Sequence, residues 1–108
     1  MKFITSNRDY QRVYENCKIL KGNLFIFLIQ KEISVDSLSV GIVVSKKVGN
    51  AVVRNKVKRR IKAFIRENSE IKPVSKNIII KAKLEAGSAN WQEIKEDLTE
   101  IFVKIQHS

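Results

Sequence analysis

The stretch Ser45–Glu67 reads SKKVGNAVVRNKVKRRIKAFIRE, and the organisation of the 108-residue chain follows from it. Nine of the 21 residues from Lys46 to Arg66 are basic: Lys46, Lys47, Arg54, Lys56, Lys58, Arg59, Arg60, Lys62 and Arg66. None is acidic. Like charge at this density repels itself, and an anionic partner is the natural reason for it. The run also keeps a helical register. Val53, Val57, Ile61, Phe64 and Ile65 recur at helical spacing and form one apolar stripe. Asn50 is the expected N-cap, with Gly49 ahead of it letting the chain turn into the helix. Arg54, Lys58, Lys62 and Arg66 step by four along one flank, and Lys56, Arg59 and Arg60 fill the remaining polar surface. The segment is therefore predicted to dock on a core with its cations outward. A disordered basic tail would have no core to keep this register for.

The length fits a single domain over residues 1–108 with one core. Hydrophobic residues at 44% and charged residues at 30% are an ordinary globular balance, whereas the formal charge of +10 is not. That charge points to nucleic acid or an anionic membrane surface. No run approaches the ~18 apolar residues of a membrane span, and MKFITSNRDYQ lacks the apolar centre of a signal peptide. Cys17 is the only cysteine, so no internal disulfide and no metal cluster is expected. These features favour a cytoplasmic protein with no membrane partner.

Taken in order, Ser6 to Cys17 reads as a first helix. Ser6 and Asp9 make a short capping box, and Tyr10, Val13, Tyr14 and Cys17 share one face. Spacing alone favours sheet packing for the two tyrosines over base stacking. Lys18 to Leu20 forms a short strand before a turn at Lys21-Gly22-Asn23. Leu24 to Ile29 (LFIFLI) is a continuous apolar strand, with Leu24, Ile26 and Leu28 on one side and Phe25, Phe27 and Ile29 on the other. Gln30 to Ser37 is polar and hairpin-like. Ser39 to Ser45 is the next strand, antiparallel to the one before, and Gly41 within it signals a bulge or a close backbone approach. After the basic helix, Pro73 marks a loop. Asn77 to Leu84 is a strand with Lys81 and Lys83 on one face, and a Gly- and Ser-containing link follows. Asn90 and Glu93 open a last helix with the stripe Trp91, Ile94, Leu98, Ile101, Phe102 and Ile105. Its exposed face is predicted to carry Glu93, Glu96, Asp97 and Glu100. The order helix–strands–helix–strand–helix implies an α+β fold, a small α/β sandwich in which helices pack on one sheet of about four strands. If the strands before and after the basic helix are parallel neighbours, handedness statistics give a right-handed crossover.

The run SKKVGNAVVRNKVKRRIKAF closely resembles the segment that marks the bacterial ribonuclease P protein subunit, an Arg-Asn-Arg motif in a basic helix preceded by Ser-Lys-Lys and Gly. Ser45, Lys46, Lys47, Gly49, Arg54, Asn55, Lys58 and Arg59 match. Lys56 stands at the motif's second arginine and Lys62 at a later one. Both keep the charge and lose the planar bidentate fork. DYQRVY, LFIFLI and NIIIKAK resemble the family's first helix, its aromatic-bearing strand and the strand after the basic helix.

The resemblance implies a non-catalytic subunit. The catalyst would be a partner RNA, a Mg²⁺-dependent ribozyme that removes the 5′ leader of precursor tRNA, with Mg²⁺ held mainly by RNA. Lys46, Lys47, Asn50, Arg54, Asn55, Lys56, Lys58, Arg59, Arg60, Lys62 and Arg66 would bind RNA. Tyr10, Tyr14 and Phe27 would line a cleft for the single-stranded leader, flanked by Lys58, Lys62 and Arg66. The family's crossover around the basic helix is left-handed, against the statistical expectation. Two other classes stay open: a ribosomal or other structural RNA-binding protein, and an autonomous nuclease. The latter needs convergent acid–base or metal-binding groups, and the chain offers the terminal His107 and scattered carboxylates.

Overall fold

The computed structural model describes residues 2–4, 6–30, 39–68 and 77–106. The segment from 31 to 37 expected to turn as a hairpin, Pro73 and His107 lie outside them.

The sheet is built around β5 (Asn77–Ala82), whose Ile78, Ile79 and Ile80 are fully buried. β5 pairs antiparallel with β3 (Phe25–Gln30) and parallel with β4 (Ser39–Val43). β2 (Cys17–Lys21) flanks β3, and a two-residue strand β1 (Lys2–Phe3) flanks β4, giving the order β1-β4-β5-β3-β2. The fold is thus α+β with a mixed sheet, and the strands on either side of the basic helix are parallel neighbours. One expected pairing is corrected. β4 does not lie beside β3, because β5 is inserted between them. A continuously apolar β5 is more fully buried at the sheet centre than at an edge. β1 carried too few residues for a strand pattern and was not anticipated.

Among the described residues three α-helices cover the sheet. α1 (Asn7–Glu15) lies on one face. α2 (Ala51–Glu67) and α3 (Trp91–Gln106) lie on the other. α1 is capped by Ser6 Oγ, which accepts from the Asp9 amide at 3.1 Å. It stops at Glu15, and Cys17, expected at the helix end, already pairs with Gln30 in β2. Asn50 caps α2 by accepting from the Val53 amide at 3.0 Å. Gly49 is extended (φ 162°, ψ −173°), so its role is space and not an unusual turn. A Cβ there would sit 2.7 Å from Val53 Cγ1. α3 opens with a reciprocal box: the Glu93 amide donates to Asn90 Oδ1 (2.8 Å) and the Asn90 amide to Glu93 Oε1 (2.9 Å).

The main core joins Phe25, Phe27 and Ile29 of β3, Ile78 and Ile80 of β5, and the stripes of α2 and α3. Phe102 meets Phe27 edge-on at 5.1 Å and stacks against Phe64 at 5.9 Å. Asp97 does not stand on the exposed face of α3. It is only 4% exposed. Its carboxylate accepts from the amides of Asn23 (2.8 Å), Leu24 (3.0 Å) and Phe25 (3.0 Å). The turn from β2 into β3 therefore closes around an acid from a distant helix. Gly22 leaves room for it, since a Cβ there would stand 2.7 Å from both Asp97 oxygens. Glu93, Glu96 and Glu100 are exposed as expected.

Asp97→Ala strips three backbone donors of their acceptor. It should lower the unfolding free energy by roughly 2–4 kcal/mol in a urea titration, with Asp97→Asn losing less. Equal stability of Asp97→Ala and wild type would show the clasp to be dispensable.

Candidate nucleic-acid interface

Two surfaces follow from this arrangement, one on each side of the sheet. The first is the outward side of α2 and the turn before it. The stripe Val57, Ile61, Phe64 and Ile65 is buried, so helical geometry carries the cations outward. Lys46 and Lys47 are exposed in a 3-10 turn (Lys46–Val48) just ahead of the helix. Asn55, Lys56, Arg59 and Arg66 are exposed, and Arg54, Lys58, Arg60 and Lys62 are half-buried along the flanks. Among the described residues none of these cations forms an ion pair with a carboxylate.

Three of the residues expected on this surface have partners within the fold. Asn50 Oδ1 is engaged as the helix cap. Arg60 Nη1 donates to the Ala89 carbonyl at 3.0 Å. Lys62 Nζ lies 5.3 Å from the ring centroid of Phe3 on the edge strand β1. Arg54 is the opposite case. Its Nε is buried and has no hydrogen-bond partner among the described residues.

The second surface is the sheet face that α1 covers in part. Val13 packs on Leu28 and Ile79, and Tyr10, Cys17, Ile26 and Val43 surround that contact. Tyr10 lies against Gly41: a Cβ on Gly41 would stand 2.6 Å from Tyr10 Cε1 and 2.9 Å from its hydroxyl. The glycine in β4 is thus the close approach its sequence position suggested. Tyr14 is 43% exposed beside it. Partial burial, and secondarily the neighbouring Tyr10 phenol, hold the Tyr14 hydroxyl above the ordinary phenol value. It is therefore a neutral ring and hydrogen-bond donor at physiological pH.

Phe27 is a correction. It is fully buried, in the core beneath α2 and α3, and cannot line an open surface. Strand alternation places Phe25, Phe27 and Ile29 on the helix-covered side and Ile26 and Leu28 on the side of the tyrosines. A signal for this was present in the strand itself. Gln30 has the parity of Ile26 and Leu28 and accepts from Asn77 Nδ2 at 2.8 Å, so the even-numbered side is the one that tolerates polarity. The residues overlooked for this face are Ile26, Val43 and Lys81. Lys81 pairs with Ile26 on one side and Val43 on the other, which places a cation between two apolar side chains of the floor. Lys83, expected beside Lys81, instead follows the strand and reaches the Gly22 carbonyl at 3.4 Å.

The sheet separates the tyrosines from the apolar side of α2. Lys62 reaches over Phe3 at the β1 edge of the sheet. Among the described residues, no three His, Cys, Asp or Glu side chains come together as metal donors. No helix among these residues is long and apolar enough to cross a membrane.

The fold and its surfaces define a small α+β protein with one helix on one face of a mixed sheet and two on the other, the outer one cationic. A family model described as Ribonuclease P matches residues 2–106. The ribonuclease P protein component of Bacillus velezensis is 37% identical over 102 residues, covering 94% of this chain and 86% of that protein. The Staphylococcus aureus RNase P protein superposes with a TM-score of 0.81 at 32% identity, covering 93% of this chain and 91% of that one. A mutant of the same protein, described as having defective mRNA degradation activity, superposes with a TM-score of 0.87 at 30% identity, covering 96% and 87%. The chain belongs to the ribonuclease P protein component family.

The Gly41–Tyr10 contact leaves no space for a methyl group. Gly41→Ala should cost about 1–3 kcal/mol by overpacking and displace α1 from the sheet. A thermal melt and the near-ultraviolet tyrosine signal check this, and an unaltered tyrosine environment would mean that α1 is not seated on β4.

Proposed function

We propose that this chain is the RNA-binding protein subunit of a tRNA-processing ribonuclease P, gripping the catalytic RNA with α2 and the preceding turn and holding the single-stranded 5′ leader of precursor tRNA on the tyrosine-bearing sheet face. The observation that carries this reading is the cationic surface of α2. It is a row of fixed charges on a helix locked into the core, without carboxylate partners among the described residues. Charges so placed neutralise phosphates with little side-chain reorganisation, and each neutralised phosphate releases counterions. Arg54 opens the cation row that continues through Lys58 and Lys62, and the fold leaves its Nε–H without a partner.

The open face suits a leader whose sequence varies. Tyr14 offers a neutral, half-exposed ring for a base to stack on, and Ile26 and Val43 give apolar floor. Lys81 supplies a charge for the backbone. Stacking contributes about 1–3 kcal/mol per base without reading its edge. Bond cleavage is assigned to the RNA and its Mg²⁺, and the protein contributes grip and placement. The protein is expected to act with RNA in the cytoplasm.

Two variants test the two surfaces. Arg54→Ala should weaken binding to ribonuclease P RNA and flatten the log–log salt dependence by roughly 0.7–0.9. An unchanged slope would remove Arg54 from the phosphate-binding set. Tyr14→Ala should weaken binding of leader-bearing precursor tRNA to the assembled complex by roughly 1–3 kcal/mol at all salt concentrations. An equal loss with leaderless tRNA would assign Tyr14 to the fold alone. The protein without RNA should leave precursor tRNA uncut. Because the Staphylococcus aureus mutant is described by its mRNA degradation activity, mRNA belongs among the substrates tried. Cleavage of either by protein alone would replace the subunit reading with that of a nuclease.

A further inference from the structure

Arg59 and Arg60 are adjacent in the sequence and differ in the fold. Arg59 is exposed, whereas Arg60 is half-buried and donates through Nη1 to the Ala89 carbonyl at 3.0 Å. Ala89 packs against the main core and immediately precedes Asn90, the residue that caps α3. Its carbonyl belongs to no strand or helix and needs a donor. On the helical wheel Arg60 lies on the side of the apolar stripe opposite Arg54, Lys58 and Lys62. One flank of α2 thus faces the entry to α3, and the other carries the cation row, with Lys62 at the β1 edge.

We propose that Arg60 is a strut: a positioning residue that fixes the roll of α2 against the entry of α3, and so aims the Arg54–Lys58–Lys62 row, without itself touching a phosphate. The inference rests on the reading that this row binds RNA. Its physical basis is a difference in directionality. Burial of Val57, Ile61, Phe64 and Ile65 holds α2 on the sheet, but apolar contact is non-directional and tolerates rotation about the helix axis. A planar guanidinium bonded to a fixed carbonyl at one side of the stripe resists that rotation. The acceptor is a neutral carbonyl, so the strut needs an N–H of the right reach and not a positive charge. A phosphate grip needs the charge. Strut and grip therefore respond differently when charge and donor are removed separately.

Replacing Arg60 with citrulline by chemical synthesis keeps the length, the Nε–H and one terminal NH₂ of the same reach, exchanges the other terminal nitrogen for oxygen, and removes the charge. Arg60→Met removes both. Each is compared with wild type and with Lys58→Gln in two measurements: binding to ribonuclease P RNA across a salt series, and the thermal midpoint without RNA. The citrulline protein should keep the wild-type midpoint and salt slope. Arg60→Met should melt earlier and bind roughly two- to tenfold more weakly at every salt concentration, on a line parallel to wild type. A citrulline protein whose slope falls by roughly 0.7–0.9 makes Arg60 a phosphate contact and overturns the proposal. An Arg60→Met protein identical to wild type in midpoint and affinity overturns it as well. If Arg60→Met does not fold, the citrulline protein still decides between strut and grip. Failure of the wild-type protein to bind the RNA would instead bring down the RNA-grip reading, and the midpoints would still report on the strut.

Discussion

Burial of the α2 stripe against the inner sheet face is the constraint on which the rest of this molecule depends. Ile61 is fully enclosed, and Val57, Phe64 and Ile65 are nearly so. Their facing surface is supplied by β3, β5 and α3, with Phe102 bridging Phe27 and Phe64. Once that stripe is committed, helical geometry carries Lys56, Lys58, Arg59 and Arg66 away from the core. The polarity of the sheet follows too. Among the described residues two α-helices lie on one face and only the nine-residue α1 on the other, where Ile26 and Val43 stay partly exposed. The partly open face is thus a product of the same packing that builds the cationic one.

The helices were largely legible in the sequence because both ingredients of a helix are local. Asn50 and Asn90 cap where their side chains can reach the third amide onward, and the stripes of α2 and α3 recur at the period that buries them. The sheet was less legible because register and strand order are non-local. Nothing within Ser39–Ser45 says that β5 will separate it from β3. The assignment of Phe27 failed for the same reason: LFIFLI is apolar on both parities, and the aromatic side looks as suitable for stacking as for core. The core took it because Phe64 and Phe102, on two different helices, supply the ring partners.

The cationic segment shows a second limit of sequence reading. Nine basic side chains count equally in a net charge, yet the fold gives them different tasks. Arg59 and Arg66 extend into solvent, Lys62 rests on Phe3, Arg60 holds a carbonyl, and Arg54 keeps an enclosed N–H without a partner. These differences arise from what lies 29 residues away in the case of Arg60 and at the opposite end of the chain in the case of Lys62. Charge density identified the segment, and packing distributes the roles within it.

Asp97 was read as one more member of an acidic helical face, and its actual position has a wider electrostatic meaning. A buried carboxylate is commonly balanced by a lysine or arginine, which then is lost to outside partners. Here three peptide dipoles of the β2–β3 turn do that work. Backbone amides hold this carboxylate, and among the described residues no ammonium or guanidinium pairs with it. None of the described cations is spent on Asp97, and the +10 formal charge is left to the outer surface.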